Sequence, residues 1–202
     1  QGGPGVINVT YRDDGIPVVE LEGIRFTICI PSRKRTAKVM RNPLFDWATI
    51  YVNEAEYDDY ARAFKAAGRQ PGALRTHDTI GLPRIRNRML DDFRPEGEDF
   101  QLQCDDDVRM LQYTYTKKLV QYTKGEDILI RCVAEYLVAS EIPTAMFVFQ
   151  QSPRPQERIT LEPFILRRWG RGDLFGIWDK ELRWDPETVT CEDMDMCMQV
   201  IA

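Results

Sequence analysis

The sequence predicts an α/β fold in which a mixed, mostly parallel sheet is flanked by helices. Apolar runs of strand length alternate with amphipathic helical segments through the first half of the chain, an order typical of β–α–β units. Polar residues follow directly after three of these runs, at the strand ends where parallel sheets bind ligands. The 202-residue chain is 43% hydrophobic and 29% charged, which is the balance of a soluble globular protein.

The charge balance and the cysteines limit the partners and the compartment. A formal net charge of −5 argues against a protein that binds nucleic acid over its whole surface. Five cysteines, an odd number without metal-type spacing, are typical of reduced thiols in a cytoplasm-like compartment. No apolar run reaches the length of a membrane span, and the N-terminus lacks a signal-peptide pattern. We therefore expect a cytoplasmic protein. A viral protein that acts in the cytoplasm of its host would also meet this expectation.

Residues 1–23 are rich in glycine, proline and aspartate, and we interpret them as an N-terminal lead-in that carries a short hairpin. Residues 24–202 are predicted to form a single domain, because neither an internal repeat nor a linker divides them. The first strong strand, at residues 24–30, ends at Pro31, which lacks the N–H group that a strand needs. Ser32 then opens a polar, basic segment, where its hydroxyl can cap a short helix.

Further strand–helix units follow. Residues 48–53 form a second strand, and an alanine-rich, charged helix after it ends before Gly68, a residue type favoured just past a helix. The next helix begins near Gly81, with a proline tolerated in its first turn, and a strand at residues 100–104 follows it. The remaining predicted elements are a short strand at residues 73–76, a helix from Gly125, strands at residues 144–150, 159–166 and 174–178, and a last helix from Thr190.

Three consecutive acids, Asp105, Asp106 and Asp107, come directly after the strand at residues 100–104. Divalent cations such as Mg²⁺ take carboxylate oxygens together with substrate phosphate oxygens. Because side chains alternate along a strand, we expect Asp105 and Asp107 to face one way and Asp106 the other. This spacing predicts Asp105 and Asp107 as the pair for a metal–diphosphate site. An isolated acidic triplet is also typical of a solvated turn after an edge strand.

Polar motifs recur along the chain in a fixed order, mostly at the ends of predicted strands. They are Ile30-Pro31-Ser32-Arg33, Asn53-Glu54, Gly81-x₄-Arg86-Asn87, Asp105-Asp106-Asp107 and Cys191-Glu192-Asp193-x-Asp195. This order resembles that of nucleotide-sugar-dependent glycosyltransferases of the GT-A fold, close to the family-2 group, over roughly residues 24–202. The resemblance implies a Rossmann-like, mixed and mostly parallel sheet. It also implies transfer of a sugar from a nucleoside diphosphate sugar to an acceptor hydroxyl.

The resemblance also assigns roles to residues. Asp107 is the first choice for direct metal ligation, and Asp105 would hold the ribose or help to bind the metal through water. Asp193 is the implied catalytic base, with Glu192 beside it, although acids in a first helical turn are also favoured by the helix dipole without any catalytic role. The residues implied in binding the donor are Pro31, Ser32, Arg33, Glu54, Arg84, Arg86, Arg88, Asp105 and Asp106.

The resemblance implies Mn²⁺ or Mg²⁺ as cofactor and a nucleoside diphosphate sugar as donor. Uridine diphosphate is the commonest donor nucleotide in the resembled family. The compact chain, the Pro-Ser-Arg turn and the basic runs also resemble glycosyltransferases that modify hydroxymethylated pyrimidines in phage and kinetoplastid DNA. Modified DNA is therefore one candidate acceptor, which the basic residues within 33–41 and 167–171 would contact. A third metal ligand, which family members often place after the late acidic motif, is not evident in this sequence.

Two alternatives remain open at this point. In haloacid-dehalogenase-like phosphatases an apolar strand also ends in an acidic motif, and Asp105 would then attack phosphorus while Asp107 acts as acid and base. That nucleophile strand normally comes first in its domain, whereas here at least two strand–helix units precede it. The second alternative is a nucleotide-binding module that has the fold but does not catalyse transfer.

Overall fold

The computed structural model describes residues 5–115, 118–150 and 172–187. Within these residues, eight strands form one mixed sheet and two more form a separate hairpin. The strands are β1 (Asn8–Tyr11), β2 (Pro17–Leu21), β3 (Ile24–Pro31), β4 (Thr49–Asn53), β5 (Ala73–His77), β6 (Phe100–Cys104), β7 (Leu111–Tyr115), β8 (Lys118–Tyr122), β9 (Met146–Gln150) and β10 (Gly172–Ile177). The helices are α1 (Thr36–Val39), α2 (Tyr57–Ala66), α3 (Leu82–Asp91) and α4 (Gly125–Ala139), with short 3₁₀ turns at Phe45–Trp47 and Glu54–Glu56.

Parallel strands form the centre of the sheet. β3 pairs in parallel with β4 and with β6, and β4 pairs in parallel with β5. Antiparallel strands complete the sheet, because β10 pairs with β6 and β9, and β2 pairs with β3 and β1. The predicted α/β class and the mixed sheet are confirmed. The sheet is not mostly parallel as expected, because four antiparallel pairings among the described strands outnumber three parallel ones. Its parallel part is the block β5–β4–β3–β6, and the carboxyl ends of these strands therefore meet at one edge of the sheet.

Side chains of β3 and β6 alternate between two packed faces. On one face Phe26 stacks on Phe100 with ring centroids 4.7 Å apart, within a core to which α2 and α4 also contribute. On the other face the Gln101 side chain donates a hydrogen bond to the Met89 carbonyl of α3 at 2.7 Å. All five residues of β6 are buried, as expected for a strand covered on both sides.

The N-terminal hairpin belongs to the same sheet. β2 continues alongside β3, with Val19 opposite Phe26 and Leu21 opposite Ile24. Val19 and Leu21 are both buried in the larger core. The predicted hairpin is thus confirmed, whereas the division into a lead-in at residues 1–23 and a domain at residues 24–202 stays a prediction.

Some predicted elements differ from those observed. Ser32 does not cap a helix, because α1 begins only at Thr36. The hairpin of β7 and β8 was not predicted. The predicted strand at residues 159–166 and the predicted last helix from Thr190 lie outside the described residues. In the part of the chain that is described, no helix is both long enough and apolar enough to cross a membrane.

Candidate functional site

Three predicted polar motifs lie at the carboxyl edge of the parallel strands. Ser32 follows β3, Asn53 ends β4, and Asp105 follows β6. Since β4 and β6 flank β3 in parallel register, their ends lie side by side. The convergence expected from the sequence therefore occurs, at the edge where open α/β sheets bind ligands.

Ser32 links the first of these motifs to the acidic turn. Its side chain is buried, and its hydroxyl donates a hydrogen bond to Asp106 Oδ2 at 2.9 Å. Ser32 has one hydroxyl proton, so the Tyr60 hydroxyl, 2.8 Å away, is the donor in their contact. Tyr60 of α2 in turn accepts a hydrogen bond from the Arg35 backbone N–H at 3.0 Å. Burial raises the pKa of Tyr60 above its ordinary value, which keeps this hydroxyl protonated.

Asp106 and Asp107 share a cation. Arg35 Nη1 lies 3.1 Å from Asp106 Oδ1 and 3.6 Å from Asp107 Oδ2. Lys38 Nζ lies 3.8 Å from the same oxygen of Asp107. The hydrogen bond to Asp106 is the main reason that the pKa of Arg35 is raised. The Asp107 side chain is 47% exposed and that of Asp106 only 5%, so Asp107 is the member of this pair that an incoming ligand can reach.

Because Asp106 and Asp107 contact the same arginine, the orientation expected for them has to be corrected. Strand alternation predicts that Asp106 faces away from Asp107, but both contact Arg35. The physical reason is that β6 ends at Cys104 and the chain turns at residues 106 and 107. The two-residue period of a strand therefore does not extend through the acidic motif.

Asp105 is held from the other face of the sheet. Arg86 of α3 donates a hydrogen bond to Asp105 Oδ1 at 2.7 Å. Its guanidinium carbon lies 4.7 Å from the Phe175 ring centroid and 4.4 Å from that of Trp184, and the Arg86 side chain is 3% exposed. Arg86 is one of three arginines predicted to bind the donor, and that role stays a prediction. The structure places it beneath the acidic turn, where it holds the Asp105 carboxylate.

The other two arginines of α3 are more exposed. Arg84 pairs with Glu187 at 3.2 Å and Arg88 with Asp92 at 3.7 Å. Their side chains are 52% and 43% exposed. Both ion pairs can therefore break at low cost, because exposed ion pairs contribute little stability.

The basic segment after β3 is anchored by an acid that the sequence did not single out. Glu56 accepts a hydrogen bond from the Lys34 backbone N–H at 2.8 Å and lies 3.9 Å from Arg33 Nε. Arg33 is nevertheless 70% exposed. Glu54, the acid predicted to meet the base or ribose, opens the 3₁₀ turn that the Asn53 side chain caps. Pro31 is buried as the last residue of β3, opposite Tyr51.

His77 is a further residue that sequence reasoning left unassigned. It ends β5 opposite Asn53 of β4, and it is 7% exposed. Its Nδ1 lies 3.2 Å from the Thr79 hydroxyl. Burial lowers the pKa of His77 below its ordinary value. Only the pairing register of β4 and β5 places His77 beside the Asn53 motif, so the sequence alone could not have pointed to it.

The donor atoms at the acidic turn suit a hard divalent cation, since carboxylate oxygens are the ligands that Mg²⁺ and Mn²⁺ prefer. The described residues do not bring three His, Cys, Asp or Glu side chains together in one metal-binding group. Asp107 alone offers one exposed carboxylate, so tight binding of such an ion would need further ligands from a bound substrate or from other parts of the chain. Glu192 and Asp193, the predicted catalytic acids, lie outside the described residues.

The fold is similar to that of a S. aureus glycosyltransferase, TarS. The structure of TarS 1-349 matches with a TM-score of 0.54 and 13% identity, over 87% of this chain and 55% of that one. The structure of TarS 1-349 in complex with UDP matches with a TM-score of 0.53 and 10% identity, over 87% and 54%. The chain thus spans about half the length of these structures. The likeness shows the fold, which is of the GT-A type predicted from the sequence. No protein-family model and no curated protein matches the sequence.

Proposed function

We propose that this chain is a glycosyltransferase that moves a sugar from a UDP-sugar to an acceptor hydroxyl. The observation that supports it most is the position of the acidic turn. Asp105, Asp106 and Asp107 follow a central parallel strand of a GT-A-type sheet, beside the basic segment after β3. One structural neighbour was solved in complex with UDP.

In this proposal the described residues bind and orient the donor. Ser32 and Arg35 hold Asp106 in place, and Arg86 does the same for Asp105. These contacts hold Asp105 and Asp106 in defined positions beside the proposed nucleotide site. The remaining donor contacts are proposed for Pro31, Arg33, Glu54, Arg84 and Arg88, of which Arg33 and Arg84 are more than half exposed.

A divalent cation, Mn²⁺ or Mg²⁺, is part of the proposal. Asp107 would hold it, with Asp105 as a second ligand or through water, and a bound ion stabilises negative charge that develops on a leaving diphosphate. The base that accepts the proton of the acceptor hydroxyl is proposed to be Asp193, with Glu192 beside it.

The acceptor is proposed to be a hydroxymethylated base in DNA. What supports this is the basic segment after β3, in which Arg33, Lys34 and Arg41 are exposed. Exposed basic side chains would contact the phosphates of a duplex, and such contacts position a protein on DNA. The test is sugar transfer from a panel of UDP-sugars to a duplex that contains hydroxymethylated pyrimidines, with the unmodified duplex as control. Transfer to protein or small-molecule hydroxyls alone would refute the DNA acceptor.

Thermal unfolding with and without ligands tests the donor site. A ligand that binds only the native state raises Tm by mass action. At a concentration of 100 times Kd it adds about 2.7 kcal/mol to the free energy of unfolding. We expect UDP with Mn²⁺ to raise Tm more than either alone. Asp107→Asn should abolish the metal-dependent part of the shift.

Asp91→Asn is the matched control for Asp107→Asn. Asp91 lies at the far end of α3, is 50% exposed and pairs with Arg183 at 3.5 Å, so it resembles Asp107 in exposure and in ion pairing. This variant should keep the full shift. If no nucleoside diphosphate raises the Tm of the wild type, with or without metal, the proposal is wrong. Trapping of a phosphoaspartate at Asp105 would favour the phosphatase alternative instead.

A further inference from the structure

The three acids of the turn face three cations of the same chain. Asp105 pairs with Arg86, Asp106 with Arg35, and Asp107 with Arg35 and Lys38. The described part of the site is therefore close to charge-neutral without any ligand. A divalent cation that binds there competes with positive charges that the chain already supplies.

The three cations differ in how firmly they are held. Arg86 is 3% exposed and its guanidinium packs against the rings of Phe175 and Trp184. Arg35 is 49% exposed but makes a hydrogen bond to the buried Asp106. Lys38 is 50% exposed and lies 3.8 Å from Asp107, which is beyond hydrogen-bond distance. Exposed pairs of this type contribute about 0–1 kcal/mol, so Lys38 is the cation that moves at least cost.

Arg86 keeps the third acid of the turn out of this competition. Its side chain is almost fully buried, and its Nη2 points at Asp105. Its Nε and Nη1 have no hydrogen-bond partner among the described residues. A buried guanidinium that leaves two nitrogens unpaired is costly, and here it keeps one acid of the turn neutralised whatever binds to the other two.

We propose that Lys38, assisted by Arg35, is a counter-ion that passes from Asp107 to the donor diphosphate. In the ligand-free protein it neutralises Asp107. When a divalent cation takes that carboxylate, the lysine ammonium is released and pairs with the phosphate oxygens of the donor. This inference rests on the proposed function. Metal and diphosphate would therefore favour each other's binding. The metal frees Lys38 from Asp107, and the diphosphate gives the freed ammonium a new partner.

If Lys38 moves between Asp107 and the diphosphate, replacing it should have opposite effects on the binding of Mn²⁺ and of UDP. Lys38→Met removes the competitor for Asp107, so Mn²⁺ alone should bind about two- to fivefold more tightly, the range that an exposed ion pair allows. The same variant lacks a charged donor for the diphosphate. UDP at saturating Mn²⁺ should therefore bind at least about tenfold more weakly, as expected for a lost hydrogen bond to a charged group.

The experiment measures Mn²⁺ alone by electron paramagnetic resonance and UDP at saturating Mn²⁺ by titration calorimetry. Lys38→Arg keeps the charge and should match the wild type in both measurements. Lys65→Met, which removes an exposed lysine in the last turn of α2, should also leave both unchanged. The tighter Mn²⁺ binding needs no enzyme activity to be seen.

The possible results separate the two proposals. Tighter Mn²⁺ binding together with weaker UDP binding supports the passage of Lys38 from acid to diphosphate. If Lys38→Met weakens both ligands, or changes neither, while the wild type binds UDP, this inference is wrong and the glycosyltransferase proposal stands. If the wild type binds no UDP at any Mn²⁺ concentration, the proposed function fails and the passage to a diphosphate fails with it.

Discussion

At the scale of single residues, Arg86 connects several parts of the molecule. It starts from α3, contacts rings of Phe175 in β10 and Trp184 beyond it, and donates to Asp105 after β6. A cation over aromatic rings is stabilised by about 0.5–2 kcal/mol, more when it is desolvated. Arg86 thus orients Asp105 from below the acidic turn.

His77 allows a prediction about pH. Burial lowers its pKa from the ordinary value of 6.5, against smaller opposing effects of Thr79, Asp78, Glu56 and Glu54. In the window between the lowered folded pKa and 6.5, the unfolded chain binds more protons than the folded one. Stability therefore rises with pH through this window and falls on acidification below about pH 6.5. We expect Tm to drop between pH 7.5 and pH 5.5.

The histidine contribution can be isolated because His77 is the only histidine in the chain. His77→Gln should lose the part of the Tm drop that belongs to the imidazole, so its Tm should depend less steeply on pH over the same interval. The comparison uses the slopes rather than the absolute Tm values, since the substitution also removes the contact with Thr79. Equal slopes for the two proteins would contradict the prediction.

At the scale of elements, the sequence placed the strands that build the site, because their signals are local. An apolar run followed by a breaker fixes where β3 and β6 end, and both ends match the predicted positions near Pro31 and Cys104. The orientations beyond those ends were not predictable. Both orientations depend on packing between α2 and the turn, which leaves no pattern in the sequence. One is whether Asp107 follows the alternation of β6. The other is whether Ser32 caps a helix or reaches Tyr60.

Gly176 in β10 allows a prediction at the scale of elements. A Cβ built on Gly176 would lie 2.2 Å from Cε1 of Phe147, the residue opposite it on β9. Phe147 is itself buried in the core. Gly176→Ala should therefore lower the free energy of unfolding by about 1–3 kcal/mol, the usual cost of overpacking, as measured by urea denaturation.

Two further variants check this explanation. In the double variant Gly176→Ala with Phe147→Leu, the smaller side chain makes room for the added methyl group. The alanine substitution should then cost less than it does in the wild type. Gly97→Ala is the control, because the nearest atom to its built Cβ is Arg25 Nη1 at 3.9 Å, and it should change stability by less than about 0.5 kcal/mol. An equal cost in both backgrounds would mean that Phe147 is not the cause.

At the scale of the whole molecule, the sheet sets which parts of the chain belong together. The α/β class and the parallel centre followed from the alternation of strands and helices. The antiparallel pairing of β10 with β6 did not, because these strands lie far apart in the sequence. The pairing of β2 with β3 is local, and it was missed because residues 1–23 were interpreted as a separate lead-in. The composition of the N-terminal hairpin suggested a loose lead-in, whereas Val19 and Leu21 of its second strand are part of the core.

The hairpin therefore tests the boundaries of the folding unit. Leu21 is 1% exposed in the larger core, whereas Val9 on β1 is 37% exposed. Leu21→Ala should lower the free energy of unfolding by about 2–5 kcal/mol, and Val9→Ala should have little effect. If residues 5–23 fold with the rest, the loss appears as a shift of one cooperative transition recorded alike by circular dichroism and tryptophan fluorescence. A wild-type-like midpoint for Leu21→Ala, or a separate early transition, would mean that the hairpin folds independently of the site-bearing sheet.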